Sequence, residues 1–219
     1  FYMYTRIMEL PAGEQVTLVP TGPLTNIALL LGTFPEVRQR IEQIVLIGGS
    51  YSGGNVTPAA EFNIWADPEA AHMVFGAGVP IVMCGLDVTL KSGLDGAQIE
   101  KLCQSDRKVE QACGQMLSFY LNTTRHEGEE NMVAIHDAVT ILFLTDPDLF
   151  SGKNAAVQVD CSWGENRGRT ICAECPDAGV VGTGDAAEDL SLSAPVYLLD
   201  QVNLPEFQRV LLSKLASLG

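Results

Sequence analysis

VTLVPTGPLTNIALLL, residues 16–31, decides the fold. Its first five residues, 16–20, are a short apolar run with β-branched side chains, the composition of a buried strand. A Gly22-Pro23 turn follows, and residues 24–31 then read as an apolar helix. The same alternation recurs downstream. Residues 44–47 (IVLI) form a second buried strand closed by Gly48 and Gly49, and residues 66–75 form a helix entered at Asp67-Pro68. Asp67 suits the N-cap of that helix and Pro68 its first turn. Residues 80–84 (PIVMC) are a third strand. Continuous apolar strands separated by helices predict an α/β fold, a mostly parallel sheet with helices on both faces.

The second half changes character. Residues 109–120 and 136–144 are predicted helices, and 204–218 a closing amphipathic helix. Between them, residues 155–160, 169–172 and 194–199 predict short strands of a small antiparallel annex near the C-terminus. Residues 122–131 (NTTRHEGEEN) are polar. No repeat or linker interrupts the chain, so residues 1–219 are expected to form one domain.

Composition narrows the function. Of 219 residues, 47% are hydrophobic and 18% charged, which supports a sizeable core. The net charge of −14 excludes a nucleic-acid partner, because phosphate binding calls for clustered Lys and Arg. No apolar run approaches the roughly 20 residues of a membrane-spanning helix, so no membrane partner is expected. The six cysteines are irregularly spaced, and the Cys172/Cys175 pair lacks the second pair or the histidines of a zinc site. Reduced thiols and a cytoplasmic location are the expectation.

In a parallel α/β sheet, ligands collect beyond the carboxyl ends of the strands. The loops after Pro20, Ile47 and Cys84 are therefore the places to search. The loop after Ile47 runs GGSYSGGNVTPAAEFNIWADPEAA and carries no phosphate-loop motif. In extended backbone Glu61 and Asn63 share a face while Phe62 points into the core. With Asn55 they offer a carboxylate and two amides, equipment for a polyhydroxyl ligand. The same residues equally suit a loop whose polar side chains only satisfy turns. His136-Asp137 opens an apolar helix, where Asp is either a cap or a functional carboxylate and His either structural or catalytic.

Taken together, PTGPLTNI at 20–27, the Gly48-Gly49 loop through AEFN and ADPEAA, and His136-Asp137-Ala138 resemble the inosine–uridine preferring nucleoside hydrolases. The resemblance runs along nearly the whole chain and is strongest from Val16 to Thr89. It implies hydrolysis of ribonucleosides to ribose and free base in nucleoside salvage, assisted by calcium. Position by position, it implies that Thr21 gives a backbone carbonyl and Asp137 a carboxylate to the calcium ion. Asn55, Glu61 and Asn63 are then the ribose ligands, and His136, with Asp137 the catalytic pair, activates the leaving base. Tyr120, Arg125 and His126 fall in the region that contacts the base. All the site residues are expected around a single sugar-sized hollow.

The family opens on a strand and a D-x-D-x-x-x-D-D loop that supply most calcium carboxylates, and nothing in these 219 residues matches it. The Asp-rich stretch 184–190 (GDAAEDL) lies too late. The resemblance therefore implies a chain that begins mid-domain, lacks the first strands of the family fold and has an incomplete calcium site. A homo-oligomer is expected to cover the exposed apolar edge. The alternative is a non-catalytic truncated relative that retains a ribose-binding or assembly role. Reading the coding sequence upstream of Phe1 separates the two. An in-frame D-x-D-x-x-x-D-D supports the enzyme, and a start codon near Met3 supports the remnant.

Overall fold

The computed structural model describes residues 1–124, 132–174 and 196–218. Arg125, His126, Cys175, the stretch 184–190 and the 194–195 end of the last predicted strand lie outside the described residues. The backbone packs into two compact units, Phe1–Asp87 with Ser151–Asp200, and Val88–Phe150 with Gln201–Gly219.

The first unit begins with α1 (Tyr2–Met8), β1 (Val16–Leu18) and α2 (Thr25–Thr33). A 3-10 turn at Pro35–Arg40 leads into β2 (Ile41–Ile47). The short α3 (Phe62–Ala66), α4 (Pro68–Phe75) and β3 (Ile81–Cys84) follow. The single turn α5 (Leu86–Thr89) ends this run. The predicted strands at 16–20, 44–47 and 80–84 are thus present, and each pairs in parallel with the next, β1 with β2 and β2 with β3. Ile44–Ile47 and all of β3 are buried, as strands covered on both faces must be.

Asp67 caps α4 as expected, its Oδ1 accepting from the Ala70 N–H at 3.1 Å, with Pro68 at the first turn. One expectation differs. The Glu61-Phe62-Asn63 segment is the start of a helix, so Phe62 points outward at 51% exposure instead of into the core.

The second unit holds β4 (Gly93–Asp95), α6 (Gly96–Cys103), α7 (Lys108–Thr124), β5 (Met132–Ala134) and α8 (Ala138–Thr145). Its β4 and β5 pair antiparallel in a two-stranded sheet. A capping box starts α6, in which Asp95 accepts from the Gln98 N–H at 2.8 Å and Gln98 accepts from the Asp95 N–H at 2.9 Å. Leu94, Ile99, Leu102 and Val133 form the core of this unit, packed against Leu117, Leu211 and Leu215.

The remaining strands are β6 (Phe150–Val159), β7 (Thr170–Glu174) and β8 (Val196–Val202), and α9 (Leu204–Ser217) closes the chain. Among the described residues, the main sheet has six strands in the order β1-β2-β3-β8-β6-β7. The antiparallel annex is present as the β6–β7 pair on its margin. β8 instead joins the interior of the sheet, parallel to β3, with Ile81, Val82 and Met83 opposite Val196, Tyr197 and Leu198. The fold class read from the sequence, a mostly parallel sheet with helices and a small antiparallel part, is the one observed.

Leu46 lies in the centre of this core with no exposed surface, whereas Leu29 on α2 is 62% exposed. Leu46→Ala is expected to cost about 2–5 kcal/mol through lost transfer energy and a residual cavity. Leu29→Ala should change stability by no more than about 0.5 kcal/mol. Urea denaturation of the two variants checks the assignment, and equal losses would contradict it.

Candidate functional site

The loops at the carboxyl ends of β1, β2 and β3 are tied to one another by the backbone. The Ile47 N–H donates to Pro20 O at 3.1 Å, the Gly48 N–H to Cys84 O at 3.3 Å, and the Leu86 N–H to Gly49 O at 2.9 Å. Thr21, the residue after Pro20, is exposed at the mouth of the first of these loops. Thr25, at the start of α2, donates from its hydroxyl to the Asp67 carboxylate, which joins the Thr21 loop to the cap of α4.

Glu61 and Asn63 enter this region from α3. Glu61 is the N-cap, and its Oε2 accepts from the Ile64 N–H at 3.2 Å and from the Gly49 N–H at 3.0 Å. Only 6% of Glu61 is exposed, so burial pushes its carboxyl above the ordinary carboxylate range, against the opposing pull of backbone N–H groups at Asn63, Gly49 and Ile64. Asn63, 7% exposed, donates from Nδ2 to Ile47 O at 3.1 Å. Asn55 is exposed, and its Oδ1 accepts from the Phe62 N–H at 3.0 Å, which leaves its Nδ2 as a donor. The residues that suit a polyhydroxyl ligand therefore use part of their polarity to brace their own loop. The loop-bracing role is observed at all three residues, each of which bonds a backbone group of its own region.

Gly49 sits at φ +75, in the left-handed region that favours glycine, and an added Cβ would stand 2.9 Å from Met83 Cε. This conformation lets its N–H reach Glu61 while its carbonyl reaches Leu86.

In the second unit, His136 and Asp137 stand at the entrance to α8. Asp137 occupies the N-cap position without a side-chain capping bond, so its exposed carboxylate is not spent on the helix. The Thr140 N–H and hydroxyl go instead to Asp137 O, at 3.2 and 2.7 Å. His136 is half-buried. Burial lowers its pKa, with the Asp137 carboxylate pulling the other way, so the imidazole is neutral at neutral pH. Tyr120 lies near the end of α7, half exposed. Thr21 and the three polar residues of the β2 loop belong to the first unit, and His136 and Asp137 to the second.

Sequence reasoning missed Asp87 and Thr170. Asp87 accepts from the Tyr51 N–H at 2.7 Å and the Ser52 hydroxyl at 2.8 Å. The Thr170 hydroxyl accepts from the Ser50 N–H at 2.9 Å and donates to Ser50 O at 2.6 Å. Asp87 follows the third parallel strand at its carboxyl end, and that position was the available signal. Thr170 has none, because a threonine in an edge strand is ordinary. Among the described residues, no group of three or more His, Cys, Asp or Glu side chains gathers to hold a metal ion. Calcium takes about six to eight oxygens, so one carbonyl at Thr21 and one carboxylate at Asp137 do not complete its shell.

Glu61 holds its raised pKa only when folded, so between the ordinary and the raised values the folded protein keeps a proton that the unfolded chain has lost. Its contribution to stability is therefore greatest below the ordinary carboxylate range and falls as pH rises through the raised value. Glu61→Gln removes the titration. Urea midpoints measured between about pH 4 and pH 8 should show the wild type losing stability relative to E61Q as pH rises. A gap that does not change with pH would count against a buried, proton-retaining Glu61.

The family model for inosine-uridine preferring nucleoside hydrolase matches residues 2–209. The chain is 47% identical over 162 residues to a pyrimidine-specific ribonucleoside hydrolase RihA of Photobacterium profundum, covering 73% of this chain and 52% of that protein. A RihA of Shewanella woodyi is 46% identical over 157 residues, 71% of this chain and 50% of that protein. The chain thus spans about half the length of the curated relatives it matches. Among solved structures, the plant nucleoside hydrolase PpNRh1 superposes with a TM-score of 0.86 at 29% identity, covering 98% of this chain and 65% of that one. A purine-preferring ribonucleoside hydrolase from Gardnerella vaginalis gives 0.82 at 29% identity, with 99% and 65% covered. With a family model matched along nearly its entire length and solved members superposing on its sheet, the chain belongs to the inosine-uridine preferring nucleoside hydrolase family.

Proposed function

We propose that the protein hydrolyses the N-glycosidic bond of ribonucleosides to ribose and free base, in nucleoside salvage. The observation that carries this reading is the buried Glu61 carboxylate beside the Asn63 amide at the carboxyl end of β2, in a chain of this family. Asn55, Glu61 and Asn63 are the ribose ligands. Their carboxylate and amides hold hydroxyl groups, and the negative charge favours the oxocarbenium-like sugar that develops as the bond breaks. His136, neutral by burial, supplies an N–H to the departing base. The pyrimidine bases are the preferred leaving groups, a reading supported by the names of the relatives at 46–47% identity.

The metal is calcium, and Thr21 and Asp137 are this chain's share of its oxygens. Two such donors are too few, so the 219-residue polypeptide by itself binds calcium weakly and turns over nucleosides negligibly. Both units belong to one nucleoside hydrolase-like domain, which the continuous family match over residues 2–209 supports. A cytoplasmic homo-oligomer completes the reading. Five free thiols among the described cysteines support the compartment, and Met116 and Phe119, exposed on α7, support association. No helix among the described residues is long and apolar enough to cross a membrane.

Release of reducing sugar from uridine, cytidine and inosine with added calcium tests the proposal, using the 219-residue polypeptide and the protein expressed from its full reading frame. Turnover is expected from the second only, fastest on the pyrimidine nucleosides. Glu61→Ala should lower kcat/KM there by about 10²–10³-fold, the range for a lost electrostatic contact to the transition state. Comparable turnover by the 219-residue polypeptide would refute the incomplete metal shell. No turnover from the full reading frame would favour the non-catalytic, ribose-binding relative.

A further inference from the structure

We infer that Asp87 is a positioning residue, which orders the loop at 48–52 and through it sets the carboxylate of Glu61; this rests on the reading of Glu61 as a ribose ligand. The loop at 48–52 contains two glycines, and nearby Gly53 and Gly54 add two more. Such glycine-rich backbone has many accessible conformations. Much of its order comes from side chains outside the loop. The Asp87 carboxylate collects the Tyr51 N–H at 2.7 Å and the Ser52 hydroxyl at 2.8 Å, with the Ser50 hydroxyl at 3.5 Å. Ser50 Oγ in turn accepts from the Ser52 N–H at 3.1 Å. Bonds from N–H and O–H groups to an ionised carboxylate are the stronger kind.

Two further contacts make the loop a link instead of an isolated turn. The Gly49 peptide passes the constraint along, since its carbonyl accepts from the Leu86 N–H at 2.9 Å while its N–H donates to Glu61 Oε2 at 3.0 Å. Leu86 is the chain neighbour of Asp87, so two successive residues at the start of α5 hold the loop. On the far side, the Thr170 hydroxyl brackets Ser50 by accepting from its N–H and donating to its carbonyl. Lys153 Nζ lies 4.1 Å from the centre of the Tyr51 ring. An added Cβ on Gly85 would stand 2.8 Å from Gly49 O, so no side chain separates the two loops. If Asp87 releases Tyr51 and Ser52, the Gly49 N–H loses its fixed direction. Glu61 then loses the Gly49 hydrogen bond and its defined place in the site.

Hydrogen exchange and hydrolysis test this together, on Asp87→Ala, Asp87→Glu and the isosteric Asp87→Asn, which stands in should the alanine variant fail to fold. In Asp87→Ala, amides at 48–52 and at 61–64 should exchange at least about tenfold faster, while those of α2 stay unchanged. In the protein from its full reading frame, kcat/KM for uridine should fall at least about tenfold, the scale of one lost bond to a charged group. Asp87→Glu, which keeps the carboxylate, should recover part of both. Faster exchange confined to 50–52, faster exchange throughout the fold, or unchanged kcat/KM in an active enzyme would each overturn the inference. If the wild type hydrolyses no nucleoside, the proposed function fails while the exchange at 61–64 still decides whether Asp87 positions Glu61.

Discussion

A buried carboxylate is costly unless donors surround it, and Glu61 sets the terms for the loops around it. Its Oε2 gathers the Ile64 N–H of its own helix and the Gly49 N–H of the loop after β2. The first bond starts α3, and the second fixes where the β2 loop must run. Gly49 can meet that demand because it reaches φ +75 with its carbonyl turned toward Leu86. The loop after β3 is thereby drawn against the loop after β2, and Asp87 comes within reach of Tyr51 and Ser52. One acidic side chain thus organises two strand ends and a helix start, and its burial there keeps its pKa elevated against the pull of those bonds.

The sheet makes this arrangement possible by delivering its loops to one end. Parallel pairing of β1, β2 and β3 places the residues after Leu18, Ile47 and Cys84 together, where backbone bonds join them. The apolar faces of β2, β3 and β8 fill the core, with Ile44, Leu46, Met83 and Leu198 among the fully buried side chains. Packing and chemistry are separated along each strand. The strand is buried, and the loop beyond its carboxyl end is polar and held by hydrogen bonds. In the second unit, the entrance to α8 repeats the economy on a smaller scale, since Thr140 bonds to a carbonyl and leaves the Asp137 carboxylate unused by the helix.

Polar residues at such a site do two tasks, and the division is atomic. Asn63 uses Nδ2 on Ile47 O, and Asn55 uses Oδ1 on the Phe62 N–H. An amide suits this because its two ends differ in polarity. The bonds that brace the loop also fix the direction of the other end of each amide.

Much of this was legible in the residues themselves. Runs such as IVLI and PIVMC announce buried parallel strands, because only a strand covered on both faces has no need of polar alternation. Asp67-Pro68 announces the start of α4 through capping and a fixed proline torsion, both local effects. The candidate ligands Asn55, Glu61 and Asn63 were found by motif and loop position. Their geometry was not, since the AEFN segment is a helix start and Phe62 faces out. β8 likewise joined the main sheet beside β3, a choice made by a partner more than a hundred residues away. Asp87 and Thr170 escaped notice for the same reason, because their meaning lies in what they touch and Thr170 touches Ser50 across 120 residues. Periodicity, caps and motifs act over a few residues and can be read in order along a chain. Strand partners and the far ends of hydrogen bonds exist only once distant segments have packed.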